Sequence, residues 1–262
     1  MFSSIERYEL KFMIPEKLVA PISDFISIYC SIDKHAINIP GNYYTINNLY
    51  FDTKDFLFLR RKLEMVENRF NIRVRSYGNS YLGPYFLEVK QKKIDLVKKY
   101  RATVYDKKWY KMFTVPDYDI DEIKTEDTEN RDLFFKLAYT FHASPKILTQ
   151  TKRKAYMSDV DDYCRVTFDK DLQYQPEESY NLVPDPSKLM SYEYSHLVDP
   201  INTIVLEIKC YPDKVPPWVI DLIKTFDLQR RGFSKYSLGI FQILGLDYKD
   251  MLNLAPNRSA FL

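Results

Sequence analysis

The sequence predicts an α+β protein, an antiparallel β-barrel with a charged lumen, covered on its outside by helices. Three observations predict it. Seven segments alternate between apolar residues on one side and Arg, Lys or Glu on the other, the period of a strand. Five segments carry the 3.6-residue apolar spacing of amphipathic helices. The 262-residue chain holds 38 Lys+Arg against 36 Asp+Glu, a net charge of only +2. Base is therefore concentrated on those strands and the acid lies elsewhere, in Asp117–Glu129 and Asp159–Asp162.

In chain order, the first strand sets Tyr8, Leu10 and Phe12 against Arg7, Glu9 and Lys11. A helix over Pro15–Cys30 follows, with Leu18, Val19, Ile22, Phe25, Ile26 and Tyr29 on one stripe and Pro15 suited to its first turn. Thr53–Leu63 reads as a short helix opened by a Thr/Asp pair. In Asn71–Tyr77, Ile72 and Val74 oppose Arg73 and Arg75; in Phe86–Lys90, Leu87 and Val89 oppose Glu88 and Lys90. Around Val97–Val104, Lys99 and Arg101 share a face. The polar stretch Pro116–Arg131 is a surface connection leading into a helix over Asn130–Phe141, where Leu133, Phe134, Leu137 and Phe141 group together. Thr151–Tyr156 adds Arg153, and Cys164–Asp169 sets Val166 and Phe168 against Arg165, Thr167 and Asp169. Gln173–Pro200, with four prolines, is a second long connection. In Val205–Lys209, Leu206 and Ile208 oppose Glu207 and Lys209, a weak echo of the Phe86–Lys90 strand. Helices over Pro217–Phe226 and Ser234–Leu244 complete the order. No linker divides the chain, which reads as one domain over 1–262.

Composition excludes several function classes. Only 6 glycines occur, with no GxGxxG and no GxxxxGK[ST], so neither a dinucleotide-binding nor a P-loop motif is present. Cys30, Cys164 and Cys210 are far apart and odd in number, which argues against a disulfide framework. His35, His142 and His196 form no zinc-binding spacing. The N-terminus has no apolar signal core, and no run approaches the ~18 apolar residues of a membrane span. A cytoplasmic protein is the expectation.

An alternating sheet whose polar side is rich in Arg and Lys must cover its apolar side with helices, and a barrel does so with the charges inside. Cations packed in a lumen repel one another and are costly to desolvate unless an anion joins them. The expected ligand is therefore a polyanion: a triphosphate, polyphosphate or a nucleic-acid backbone. Nucleic acid fits less well, because the net charge is small and the strand aromatics fall mostly on the apolar side. Tyr43, Tyr44, Tyr77, Tyr81 and Tyr85 read as core or loop contacts ahead of base stacking. Glu9, Glu88 and Glu207, with Asp169 a further candidate, suit a hard divalent cation, Mn²⁺ or Mg²⁺, shared with phosphate. The alternative is that Glu88 and Glu207 merely pair with Lys90 and Lys209 and organise the wall, an equal reading for Glu88 only.

The ordered motifs RYELKF, YTINNLYFDT, RVRSY, FLEVK, KKYR, TKRKAY, RVTFD, VLEIK and FSKYSLG, over roughly residues 5–245, resemble the catalytic domain of the vacuolar transporter chaperone (VTC) family. That is a polyphosphate polymerase domain of the triphosphate tunnel (CYTH-like) superfamily. The resemblance implies a tunnel in which Arg73, Arg75, Arg153 and Arg165 carry catalysis. It implies phosphate binding by Lys11, Lys90, Lys98 or Lys99, Arg101 and Lys235, and metal binding by Glu207; the strand pattern adds Lys209 as a further phosphate-binding candidate and Glu88 and Glu9 as further metal-ligand candidates. There are departures. The second Lys that the family often carries three residues before Lys235 is Gly232 here, beside Arg230 and Arg231. The superfamily's ExExK strand reads Arg7-Tyr8-Glu9-Leu10-Lys11, with one carboxylate missing. The missing carboxylate argues against the hydrolytic branch.

The expected activity is metal-dependent transfer of the γ-phosphate of a nucleoside triphosphate, ATP by expectation, to a growing polyphosphate chain. Its acceptor is already an anion, so no general base is needed. The alternatives are a metal-dependent triphosphatase in the same tunnel and a non-catalytic polyphosphate-binding module. The expected partners are the nucleotide and polyphosphate, not nucleic acid; the chain has no membrane span of its own, and a membrane partner stays open.

Overall fold

The computed structural model describes residues 8–79, 83–93, 96–120, 127–192 and 203–246. Its centre is one antiparallel sheet. The strands are β1 (Tyr8–Ile14), β2 (Cys30–Ile32), β3 (Tyr44–Asp52), β4 (Asn68–Tyr77), β5 (Tyr85–Lys93), β6 (Leu96–Val104), β7 (Ser144–Ser158), β8 (Cys164–Pro176), β9 (Met190–Ser191) and β10 (Ile204–Cys210). The helices are α1 (Val19–Ile26), α2 (Leu57–Leu63), α3 (Thr128–Thr140), α4 (Pro217–Thr225) and α5 (Lys235–Ile243). The ladder runs β1-β10-β8-β7-β3-β4-β5-β6, with β2 added beside β7 and β9 beside β8.

The α+β class holds, but the expected closed barrel does not. Among the described residues the ladder is open, ending at β1 and β6. Alternation is a local property, whereas closure depends on strand stagger and tilt summed around the ring. The sheet nevertheless curls far enough for the Lys90 Nζ of β5 to reach the Glu9 Oε2 of β1 at 2.7 Å. These two strands lie near opposite ends of the ladder, so a side-chain ion pair spans the gap that backbone bonds leave.

The outer side is apolar, as its strand pattern requires. Phe12, Leu206, Ile208, Val166 and Phe168 pack under α1 and α4 through Ile22, Ile26, Trp218, Val219 and Leu222. Leu49, Ile72, Val74, Leu87, Val89 and Ala102 pack against Phe134, Phe135 and Ala138 of α3 and against Trp109. The three cysteines are free and buried.

One helix departs from the expected outer layer. α5 lies over one end of the inner side, where Tyr236, Ile240 and Phe241 join Tyr50, Ile147, Leu172, Tyr174 and Val205, with Leu59 of α2. Amphipathic spacing tells how much of a helix is apolar, not which side of a sheet it meets. A methyl at Gly239 would run into Cδ1 of Ile147 and stand 3.2 Å from the Tyr192 hydroxyl, so glycine allows α5 this close to β7. Asp52, at the end of β3, accepts from the Phe58 and Leu59 amides at the start of α2 (2.9 and 3.0 Å) and from the Tyr236 hydroxyl of α5 (2.5 Å). Among the described residues no helix is long and apolar enough to cross a membrane.

Candidate functional site

Register builds the site. Glu9 sits opposite Lys209 and Lys11 opposite Glu207. Lys209 sits opposite Arg165, Glu207 opposite Thr167, and Val205 opposite Asp169. Asp169 faces Arg153, which faces Tyr44. Asn48 faces Arg75 and Tyr50 faces Arg73. Arg73 faces Glu88, which faces Arg101, while Lys90 faces Lys99. Because opposed residues share a side of the sheet, the charges predicted strand by strand form one continuous inner face. Lys99 is on it. Lys98 sits on the other side, opposite Gln91 and beside Lys93 and Tyr100. That resolves the register the sequence left open.

Four carboxylates organise the cations. Glu88, 1 % exposed, accepts from Arg73 Nε at 2.8 Å and from Arg101 Nε and Nη2 at 2.8 and 2.5 Å. Lys99 Nζ lies at 2.7 Å and Arg75 Nη2 at 3.9 Å. Burial pushes the Glu88 carboxyl up, but Arg75, Arg73, Lys99 and Arg101 outweigh it and hold it well below the usual range. Asp169 takes a two-pronged contact from Arg153, at 2.6 and 2.7 Å, and a hydrogen bond from Lys235 of α5. Glu207 is held more loosely, by Lys11 at 3.7 Å and Lys209 at 3.3 Å. Burial raises its pKa, and Lys209, Lys11 and Arg153 bring it down to about 2. Glu9 bridges Lys90 at 2.7 Å and Lys209 at 3.3 Å.

Arg165 stands apart from the other arginines, paired with Asp33 at 3.0 Å and donating to the Tyr44 hydroxyl at 3.1 Å. Tyr50 accepts from Arg73 at 2.9 Å, and Asn48 accepts from Arg75 at 2.9 Å. On this face the cations outnumber the carboxylates. Buried polar atoms on it, Arg165 Nε, Thr151 Oγ1 and Thr167 Oγ1 among them, have no hydrogen-bond partner among the described residues. Buried polar atoms left unpaired are costly. Here they stand beside surplus positive charge, which is where an anion's oxygens would satisfy them.

Lys62 is a site residue that the sequence reading missed. It lies on α2, where Arg60, Arg61 and Lys62 look like a solvated helix face. Lys62 Nζ instead donates to Ser234 Oγ and, at 2.8 Å, to Ser237 Oγ at the start of α5. Burial, then Lys11, Lys90 and Arg69, lowers its pKa to about 7. The available signal was spacing, since Lys62 follows Leu59 by three residues and Leu59 is buried beneath α5. Arg7 lies outside the described residues, as does Tyr81; Tyr44 and Tyr85 are core residues, at 9 % and 3 % exposure.

Among the described residues no group of three or more His, Cys, Asp or Glu could hold a metal. Glu88, saturated by four cations, fits poorly. Glu207, loosely paired, with Glu9 across Lys209, fits an oxygen-ligated ion that takes its remaining ligands from phosphate, the usual arrangement for Mg²⁺.

The sequence model described as the VTC domain matches residues 6–244. The chain is 23% identical over 235 residues to Vacuolar transporter chaperone complex subunit 4 of Trypanosoma cruzi, covering 76% of this chain and 28% of that protein. The same subunit of Trypanosoma brucei brucei is 23% identical over 234 residues, with the same coverage. The chain thus spans little more than a quarter of the length of these relatives. Among solved structures, the PH1819 protein from Pyrococcus horikoshii OT3 aligns over 90% of this chain and 99% of its own, at 14% identity and a TM-score of 0.44. That likeness is loose.

Proposed function

The chain belongs to the VTC domain family, and from that premise we propose that it is a polyphosphate polymerase acting on the charged inner face of its sheet. The observation that carries the reading is that face: a surplus of Arg and Lys, in register over eight strands, with orphaned polar atoms among them. Such a surface suits a linear phosphate anion. Arg grips phosphate oxygens in a fork and Lys supplies a point charge.

A nucleoside triphosphate, ATP by expectation, lies along the face with its γ-phosphate near Arg73, Arg75 and Arg153. The terminal oxygen of a polyphosphate chain attacks the γ-phosphorus. A bond forms between that oxygen and phosphorus, the bond from phosphorus to the β-phosphate bridging oxygen breaks, and ADP leaves carrying the electron pair. The guanidinium groups neutralise the oxygens that gain charge. Glu88 and Asp169 hold those guanidinium groups in place beforehand, so little reorganisation accompanies the reaction. Lys11, Lys62, Lys90, Lys99, Arg101, Lys209 and Lys235 bind the remaining phosphates, and Arg165 binds at the opposite end of the face from α5. Glu207 and Glu9 would hold a Mn²⁺ or Mg²⁺ ion shared with phosphate, which would supply further charge neutralisation.

The test is a product assay with ATP and Mn²⁺, reading chains by gel electrophoresis and free phosphate in parallel. Long chains are expected. Free phosphate without chains would make the protein a triphosphatase, and neither product would leave a polyphosphate-binding module. Arg73→Ala with Arg75→Ala should lower chain synthesis by at least about 10²-fold, the scale of losing transition-state charge stabilisation. Normal turnover in that variant would remove the face from the mechanism. Glu207→Gln should lose metal-dependent turnover while still binding nucleotide.

A further inference from the structure

Three rings gather at one end of the charged face. Tyr44 opens β3, Tyr77 closes β4, and Phe86 is the second residue of β5. Tyr77 stands opposite Ile46 and Phe86 opposite Arg75, so both rings lie on the same side of the sheet as Arg73 and Arg75. The Tyr77 centroid is 5.9 Å from that of Tyr44 and 5.5 Å from that of Phe86, the latter pair edge-to-face. The Arg101 guanidinium lies over Phe86, 4.7 Å from its centroid. Tyr44 is a core residue at 9 % exposure, but Tyr77 is 38 % exposed. An aromatic group ending in a half-open ring thus directly adjoins the arginines that grip phosphate.

Aromatic carbon adds nothing to the binding of a phosphate chain, which charge alone recognises. It does add affinity for a nucleobase, whose π-face stacks on Tyr or Phe and on a flanking guanidinium. Resting on the nucleotide-donor reading above, we propose that Tyr77 with Phe86 is the platform on which the donor's base stacks, its triphosphate running inward past Arg75 to Arg73. Four residues of strand separate Tyr77 from Arg73, about 13 Å at the usual rise. That separation matches a ribose and triphosphate laid end to end. The half-open Tyr77 ring offers one flat face, with Phe86 braced edge-on beside it, and no base-specific hydrogen-bond code, so it selects a nucleoside triphosphate over inorganic triphosphate and ranks bases by stacking strength, purines above pyrimidines.

The experiment is titration calorimetry of the full chain with ATP and, separately, with inorganic tripolyphosphate. Tyr77→Leu is expected to weaken ATP about tenfold, within the range found for a lost base-stacking contact. Tripolyphosphate binding should stay within about twofold of that of Tyr77→Phe, which like Tyr77→Leu lacks the hydroxyl bonded to Arg75. Tyr77→Phe, which keeps the ring, should keep ATP affinity. Phe86→Leu makes the same comparison if Tyr77→Leu fails to fold, as judged by its melting curve. Equal weakening of both ligands, or of neither, would reduce the rings to packing and leave the polymerase reading standing. Wild-type protein that binds tripolyphosphate but not ATP would also overturn the platform alone. Wild-type protein that binds neither would remove the polymerase reading and the platform together.

Discussion

Lys62 shows how one side chain acquires its chemistry from its surroundings. An exposed helical lysine titrates far above neutrality, but this one lies among Lys11, Lys90 and Arg69, with serine hydroxyls as its partners, and its pKa falls to about 7. A phosphate brought alongside favours the charged form and draws a proton in. Tripolyphosphate affinity should therefore fall as pH rises above about 7, by about tenfold for each pKa unit that the ligand restores. Lys62→Arg, charged throughout this range, should flatten the profile. Equal slopes in both proteins, measured by calorimetry from pH 6 to 9, would assign the dependence to the ligand's own ionisation. The same lysine explains part of what the sequence hides. Arg and Lys at every second strand residue announce a shared side of a sheet, whereas a lysine on a short helix is indistinguishable from a solvated one until α5 is laid over it.

At the scale of elements, the alternating strands were legible and their neighbours less so. β1, β4, β5, β6, β8 and β10 occur where alternation put them, and Thr151–Tyr156 proved to be the middle of the longer β7. β3 escaped the pattern because YTINNLYFD is buried on both sides, so no polar residue marks a solvent face. The helix expected over Pro15–Cys30 shrinks to Val19–Ile26 after a single 3₁₀ turn at Glu16–Leu18. The placement of α5 was not legible at all, since it depends on Gly239 facing Ile147. Gly239→Ala should therefore cost about 1–3 kcal/mol, the range for overpacking a filled core. Adding Ile147→Val should return part of that loss in denaturant unfolding. If Gly239→Ala is neutral, α5 does not depend on the close approach. The site followed the same division: cations on strands were foreseen, and the hydroxyl and phenol partners, Ser234, Ser237, Tyr44 and Tyr50, were not.

For the whole molecule, the charged face is a liability that its own carboxylates contain. Glu207 titrates at about 2, and Glu9, Glu88 and Asp169 are likewise depressed. A carboxyl depressed in the folded state stabilises the fold above its unfolded pKa, near 4.5 for Glu, and that stability is lost as pH falls through the folded value. The melting temperature should drop steeply between about pH 4.5 and 2, as protonation leaves Arg73, Arg101, Arg153 and their neighbours without counter-ions. Tripolyphosphate should offset part of the drop by supplying the missing charge. A flat melting temperature across that window would mean the carboxylates contribute little to folding.

The reach of Lys90 across to Glu9 carries a mechanical consequence. A ring of strands joined all round by backbone bonds has a fixed girth, and a filament within it can leave only lengthwise. Here the join is a clasp between an ammonium and a carboxylate, and the polyanion proposed for this face would compete with Glu9 for that same ammonium. The proposed polyanion would thus be the agent best suited to unfasten it, and salt the next best.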